Sequence, residues 1–480
     1  MPNSPVSKTD HARIVLVNPP IRLEQMYGEY APWGSVAPPT GLCYIAAMLR
    51  KEGYEVSIVD GCAERLGVEE IVKRVVAGVP GLVGVTCKSL FMPNVMKLCP
   101  LLKEALPNVP IVAGGSHVTA LPEETLRELP LIDAIVMGEG EQTFSLLTAA
   151  LLGGRPLEGI EGLCIRRDGV PWMTPRRGRI ERLDELPYPA FDLLPDLATH
   201  YWPALTSTKR LPAFSLMTSR GCQYRCTFCD RSVFGNHVTY HGAEYILSLI
   251  RMLRRLGDTR YIYFEDDNFL LNPELDTLLG KLREFRLPIE FSCQSRVDSV
   301  DDELLKTLRA SGCRQIFYGI ETGSKRLLQA MKKGIRVDDV PEVIAKTRGA
   351  GIESMALLIL GYPGETVESL EETLALLKSC RFDDVGLFYF APLPGSEVYK
   401  DAAAQGTFNG RWDQIGGFDR PVYVPHGLTE EILRKYYERF YGACYFRPHQ
   451  VGNPFKRFPT VAHLRAYARY LLTKALGARA

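Results

Sequence analysis

Along the first third of the chain, short apolar runs alternate with stretches in which apolar positions recur every three or four residues. The run Arg13–Asn18 is β-branched on both faces and is stopped by Pro19 and Pro20, which predicts a buried strand. Residues 41–51 carry helical spacing, 55–59 read as a second strand and Leu82–Thr86 as a third. A helix over 94–105 leads to a fourth strand at 109–113, ended by Gly114 and Gly115. A fifth, at 134–137, is ended by Gly138, Glu139, Gly140 and Glu141. Strands alternating with helices predict an α/β domain with a parallel, doubly wound sheet over residues 12–153. Right-handed crossovers put all the strand C-termini on one edge, where ligands bind.

The rhythm breaks over 154–210, a connector with a short hairpin at 163–172 and the Pro-rich run Leu186, Pro187, Tyr188, Pro189. A second alternating series then begins. Strands are predicted at 213–218, Tyr261–Phe264, 290–293, 315–318, 354–359 and 386–390, with helices such as 275–285 and 367–377 between them. Six strand–helix units over 211–394 predict a partial (β/α)6 barrel of the TIM type, which places its chemistry at the C-terminal strand ends. Residues 395–480 read as a mostly helical tail. No acidic residue follows Glu438, while eight basic ones do, and 460–476 can form a basic helix with Val461, Leu464, Ala468, Leu471, Leu472 and Ala475 near one face.

Composition sharpens this in two ways. With 480 residues and a net charge of +1, the chain can build two or three cored domains and has no global field that argues for nucleic acid. No apolar run reaches membrane-spanning length and the polar start lacks a signal-peptide core, so the cytoplasm is the expected compartment.

The twelve cysteines are unevenly placed. Nine, such as Cys43, Cys87, Cys164, Cys293 and Cys380, stand alone in apolar surroundings and read as small buried hydrophobes in a reducing compartment. The other three, Cys222, Cys226 and Cys229, form a C-x3-C-x2-C run directly after the strand at 213–218. Iron–sulfur cubes are normally held by four thiolates, so three leave one iron open. A structural zinc site needs a fourth ligand, for which His237 and His241 are the nearby candidates.

Further candidates stand at the next strand ends. Glu265, Asp266 and Asp267 follow the second barrel strand and can accept bonds from an ammonium or cap the next helix. Arg296 follows the third, Glu321 the fourth, and Gly361 opens a turn that allows close backbone approach to a flat ligand after the fifth.

The cysteine run, with Phe228 before its third cysteine, resembles the signature of the radical S-adenosylmethionine (SAM) superfamily. The resemblance implies a [4Fe-4S] cluster on Cys222, Cys226 and Cys229, with SAM chelating the open iron and Phe228 packing near its adenine. It assigns Glu265, Asp266, Asp267, Arg296, Glu321 and Gly361 to SAM. The order of domains resembles the cobalamin-binding branch, in which a Rossmann-like domain precedes the barrel, so cobalamin is the third cofactor expected. No G-x-G-x-x-G follows the first strand and no P-loop is present. Thr86, Ser89, Gly114, Gly115, His117, Gly138 and Glu139 stand instead at the strand ends, where that branch seats the corrin and its nucleotide tail. The D-x-H-x-x-G motif that gives cobalt a histidine is absent.

Membership in this branch implies C-methylation of an unactivated carbon through a 5′-deoxyadenosyl radical and methylcobalamin. The alternatives are oxidation or cyclisation of the tetrapyrrole-cyclase kind, a non-methylating enzyme that has lost cobalamin, and a cobalamin sensor with an inert barrel. The expected partners are a small molecule, with lipids and tetrapyrroles as candidates, and a flavodoxin- or ferredoxin-type electron donor. The basic tail adds peripheral contact with anionic lipid, and Tyr389, Pro392 and Pro394 are candidates to line the substrate pocket.

Overall fold

A computed structural model describes residues 13–284, 289–415, 418, 420–445, 461, 464 and 465. The described residues divide into two compact units, one of residues 13–21, 39–181 and 185–195, the other of 22–38, 182–184 and the chain from 196 onward.

The first unit is built on a seven-stranded sheet of order β2-β1-β3-β4-β5-β6-β7. Its strands are β1 (Arg13–Asn18), β2 (Glu55–Asp60), β3 (Leu82–Thr86), β4 (Ile111–Gly114), β5 (Ala134–Val136), β6 (Leu163–Arg167) and β7 (Val170–Met173). The first five are parallel and nearly sealed, as helices on both faces require. The sheet is not wholly parallel, however. The hairpin that the pattern places in the connector pairs antiparallel with β5, and Met137 N–H donates to Gly162 O at 2.8 Å. It covers the edge that β5 would otherwise leave as a row of open backbone groups.

The second unit holds the six-stranded parallel sheet β15-β14-β13-β12-β11-β8. Strand β8 is Ala213–Leu216; the two-residue strands β9 (Ser219–Arg220) and β10 (Thr239–Tyr240) pair antiparallel beyond it. Then come β11 (Tyr261–Phe264), β12 (Glu290–Ser295), β13 (Cys313–Glu321), β14 (Glu353–Leu360) and β15 (Asp384–Tyr389). Sequential parallel strands with helices between them make the expected partial barrel. Residues 22–38, which the sequence pattern assigns to the first domain, pack with this unit: Val36 pairs with Trp202, whose indole N–H donates to Gly34 O at 3.0 Å. Helix Glu430–Tyr445 covers the β15 edge. The predicted helix at 460–476 lies outside the described residues apart from 461, 464 and 465. No helix of the described residues is long and apolar enough to cross a membrane.

Candidate functional site

The cysteine loop leaves the C-terminal end of β8, and β9 and β10 clamp its two ends. Gly221, at φ +92°, opens it; a Cβ there would lie 2.3 Å from His237 O, so only glycine lets the two arms meet. Cys222 is half-buried, Cys226 buried and Cys229 exposed. Among the described residues no three His, Cys, Asp or Glu side chains converge on a single ion. A tetrahedral zinc site would need a fourth donor beside the three thiols. His241 is committed elsewhere: it bonds Asp184 at 2.8 Å and stacks on Tyr245.

Within the loop, Cys229 N–H donates to Cys226 O at 3.2 Å and the two thiols lie within reach of a hydrogen bond. The thiol contact, helped by the charges of Lys333 and Arg296, lowers the pKa of Cys226 to about 7 and raises that of Cys229, while burial raises that of Cys222. Thiolates are the form that binds metal.

Thr227, between two of the cysteines, is laced to three elements. Its N–H donates to Met331 O at 3.0 Å, its hydroxyl meets the Tyr362 hydroxyl at 2.7 Å, and its carbonyl accepts from Val398 N–H at 3.0 Å. Phe228 packs against a core of Leu327, Met331, Tyr362, Phe390, Val398 and Tyr423.

The strand-end residues take distinct roles. Asp266 is 1% exposed, and one carboxylate oxygen accepts from Thr218 N–H (2.9 Å), Thr218 hydroxyl (3.0 Å) and Ser219 hydroxyl (2.5 Å). It therefore ties the end of β11 to the root of the cysteine loop, while its other oxygen is buried without a partner. Burial pushes its pKa up to about 6 against those three bonds. Glu265 is half-buried and Asp267 exposed beside it.

Arg296 is buried. Asp298 takes its guanidinium at 2.9 and 2.7 Å, Lys333 O accepts at 2.6 Å, and the ring of Tyr224 lies beneath it at 3.7 Å. Glu321, at φ +68°, turns its carboxylate onto Lys333 Nζ at 2.5 Å; both side chains are 9% exposed. Burial works against the Lys333 ammonium, but Glu321 beside it holds its pKa above the ordinary lysine value. The pair lies over Gly319, where a Cβ would sit 2.7 Å from Lys333 Nζ, and 5.9 Å separates that nitrogen from the Phe228 ring centroid. Gly361, at φ +83°, donates its N–H to Glu365, whose burial raises its pKa to about 8.

Lys333, Tyr224, Thr227 and Gly319 escape sequence reasoning. Lys333 follows Lys332 at a helix end, and nothing in the sequence separates the buried lysine from Lys332, which is exposed and pairs with Glu397.

In the first unit, Thr86, Gly114 and Gly138 stand at the ends of adjacent strands or just beyond. A Cβ at Gly138 would meet nothing within 4 Å and one at Gly114 nothing nearer than 3.8 Å, so this edge has room for a bulky group. Gly115, at φ +115°, is required by contact: a Cβ would sit 2.7 Å from Cys87 O. His117 is buried, and its Nδ1 meets the Ser89 hydroxyl at 2.9 Å. The carboxylate of Glu139 accepts from Arg179 Nε (2.7 Å) and Ile180 N–H (2.9 Å), fastening the returning chain.

The residues present fit the expected cofactors: three thiols on a braced loop, a charge pair cradled over a glycine, and an open strand edge in the other unit. Residues 216–377 match the radical SAM superfamily model and residues 31–148 the B12 binding domain model. An uncharacterized methyltransferase, PH0819, of Pyrococcus horikoshii is 34% identical over 85% of this chain and 88% of its own. A cytidylyl-2-hydroxyethylphosphonate methyltransferase of Streptomyces wedmorensis is 27% identical over 77% of this chain and 78% of its own. The radical SAM methyltransferase TsrM of Kitasatospora setae, solved with cobalamin and a [4Fe-4S] cluster, has the same fold, with a TM-score of 0.66 at 20% identity over 82% of this chain and 78% of that one. The chain is an enzyme with a [4Fe-4S] cluster, SAM and cobalamin as cofactors, and it belongs to the cobalamin-dependent radical SAM methyltransferase family.

Proposed function

We propose that the protein methylates a carbon of a small molecule, and that Cys222, Cys226 and Cys229 hold the cluster. The observation that carries this reading is the cysteine loop fastened at the C-terminal strand ends of a parallel barrel, in a chain that also bears a B12-binding domain. When bound, the cluster with SAM supplies hydrogen abstraction, and cobalamin supplies a transferable methyl group.

The chain's own groups bind and orient. Lys333 and Glu321 present opposite charges suited to the carboxylate and ammonium of an amino acid, with Glu265 and Asp267 as further acceptors for the ammonium. Arg296 and Asp266 act one step back: Arg296 stacks on the loop through Tyr224, and Asp266 holds its root. Gly361 shapes the turn after β14, packed against Leu433 and Tyr423. The segment from Gly395 to Val398 is bonded to the loop: Arg231 N–H donates to Gly395 O at 3.3 Å and Val398 N–H to Thr227 O at 3.0 Å. In the first unit Thr86, Gly114 and Gly138 face the corrin or its tail, while Ser89 holds Nδ1 of His117 at 2.9 Å.

The domain limits 12–153, 154–210, 211–394 and 395–480 stand as part of this proposal, with 22–38 and the hairpin reassigned as above. A flavodoxin or ferredoxin delivers the electron, and the basic tail rests on anionic lipid at the inner face of the membrane, which favours hydrophobic substrates such as lipids or tetrapyrroles. Deleting 455–480 then lowers co-sedimentation with anionic liposomes.

The deciding experiment is anaerobic reconstitution with iron, sulfide and cobalamin, followed by reduction with SAM bearing a CD3 methyl group. Release of methionine and 5′-deoxyadenosine, with a product heavier by the labelled methyl, is expected. A dehydrogenated or hydroxylated product makes the protein an oxidase or cyclase, and no cleavage of SAM sinks the enzymatic reading.

A further inference from the structure

The barrel strands have two unlike faces. Residues turned to the surrounding helices are sealed: Phe264, Cys293, Tyr318, Leu358 and Leu387 are at most 1% exposed. On the concave face exposure returns, and Tyr263, Gln294, Leu357 and Phe388 are only half-buried. Their placement on one face is shown by contact as well as by alternation. Gln294 Nε2 donates to the Tyr263 hydroxyl at 2.6 Å, and the rings of Tyr263 and Phe317 lie 5.3 Å apart. A Cβ at Gly386 would meet Leu357 at 2.9 Å and Phe388 at 3.3 Å. Gly319, under the Lys333–Glu321 pair, belongs to the same face, since it is the register partner of Leu357. Barrel centres are usually filled by interdigitating side chains; here the half-buried positions leave this face accessible. Phe418 extends the wall, with its ring 5.1 Å from Phe388 and 4.8 Å from Tyr27.

Across Tyr263, Gln294, Phe317, Leu357 and Phe388 this face is apolar apart from one hydrogen-bonded pair; Ser292 and Gln315, on the same face, are buried nearer the strand starts. Tyr263 and Gln294 use one donor and one acceptor on each other. Whichever way the amide is turned, the pair still presents at least one donor and one acceptor. Lys209, at the opposite end of the barrel, is paired with Glu353 at 2.7 Å. Lys333 and Glu321, above Gly319, neutralise one another at 2.5 Å, so an anion placed among Phe317, Leu357 and Phe388 would lose its hydration without gaining an unpaired counter-charge.

We propose that this concave face is the substrate site, and that it selects a neutral, largely apolar molecule whose single carboxamide-like group is read by Tyr263 and Gln294. The proposal rests on the small-molecule methylation reading and adds the substrate class. It separates this chain from a relative whose named substrate is a phosphonate. A site built to hydrogen-bond a polar group discriminates strongly against analogues that lack it, whereas apolar contact alone discriminates weakly.

The test uses the reconstituted full chain and three probes of one shape: 2-naphthamide, 2-naphthoate and 2-methylnaphthalene, with binding followed by naphthalene fluorescence and calorimetry. We expect naphthamide to bind at least tenfold more tightly than naphthoate. Gln294→Leu and Tyr263→Phe should each bring naphthamide down toward methylnaphthalene while leaving methylnaphthalene unchanged. Leu357→Glu should weaken both. Circular dichroism and cluster absorbance establish that each variant is folded. Equal or tighter binding of naphthoate, a naphthamide preference that survives both polar substitutions, or no binding of any probe overturns the proposal. SAM cleavage by the reduced protein, measured without probe, reports separately on the methylation reading.

Discussion

The guanidinium of Arg296 lies 3.7 Å over the ring of Tyr224, so the end of β12 and the middle of the cysteine loop are held as one body. Asp298 fixes the guanidinium plane with two bonds, at 2.9 and 2.7 Å. Lysine keeps the charge but has neither the fork nor the flat face. Arg296→Lys should therefore lose at least half of the iron and sulfide bound per chain after anaerobic reconstitution, with Asp298→Asn losing less. An iron content equal to that of the unaltered chain would show that the stack does not position the loop.

The Lys333–Glu321 pair is a buried ion pair, and breaking one costs more than replacing both partners. Removing one charge leaves the other desolvated, at a cost of about 3–5 kcal/mol, whereas replacing both by apolar groups of similar volume is often neutral. Lys333→Met and Glu321→Leu should each destabilise by that amount in urea unfolding, and the double variant should return to within about 1 kcal/mol of the starting chain. All three should lose SAM binding, because the amino-acid end of SAM needs the charges even where the fold does not. A double variant that still binds SAM with unchanged affinity would remove the pair from the site.

Gly395 has no room for a side chain. A Cβ would fall 1.7 Å from Asp230 Oδ1, next to Cys229, and that oxygen is held by Ser232 N–H at 2.8 Å. Overpacking of this kind costs about 1–3 kcal/mol. Gly395→Ala should shift the loop at Cys229 and speed loss of the cluster absorbance in air, and adding Asp230→Ala should restore much of the lifetime. A cluster equally durable in Gly395→Ala would mean that the loop absorbs the methyl group elsewhere.

The two strand series were legible because buried parallel strands read as continuous apolar runs: Arg13–Asn18, Leu82–Thr86 and Tyr261–Phe264 fall where the pattern puts them. The cysteine run was legible from spacing alone. Long-range partnerships were not. Nothing local in 163–172 tells whether a hairpin floats or closes a sheet edge, and nothing in 22–38 says which unit it packs with. The same limit applies at the site. Asp266, Arg296 and Glu139 were singled out by position at strand ends, but a strand-end carboxylate or guanidinium can face a ligand or brace its neighbours. Only the three donors on Asp266, the stack on Arg296 and the Arg179 contact of Glu139 separate those uses.

Asp266 carries a pH signature of its bracing role. Its native pKa is pushed up to about 6 by burial, above the ordinary carboxylate value. The native protein thus keeps this proton over a range in which the unfolded chain has released it, and stability falls as pH rises from about 4 to about 6. A displacement of about two pKa units corresponds to about 3 kcal/mol. Asp266→Asn keeps the oxygen that accepts from Thr218 and Ser219 and does not titrate. Across pH 4 to 7, the unfolding free energy of the variant should therefore gain about 2 kcal/mol relative to that of the unaltered chain, with the change concentrated between pH 4 and 6. A difference that stays flat would mean that water or another group reaches the second carboxylate oxygen. A change of opposite sign would mean that Asp266 is charged and satisfied, as a direct ligand to a cationic group would be.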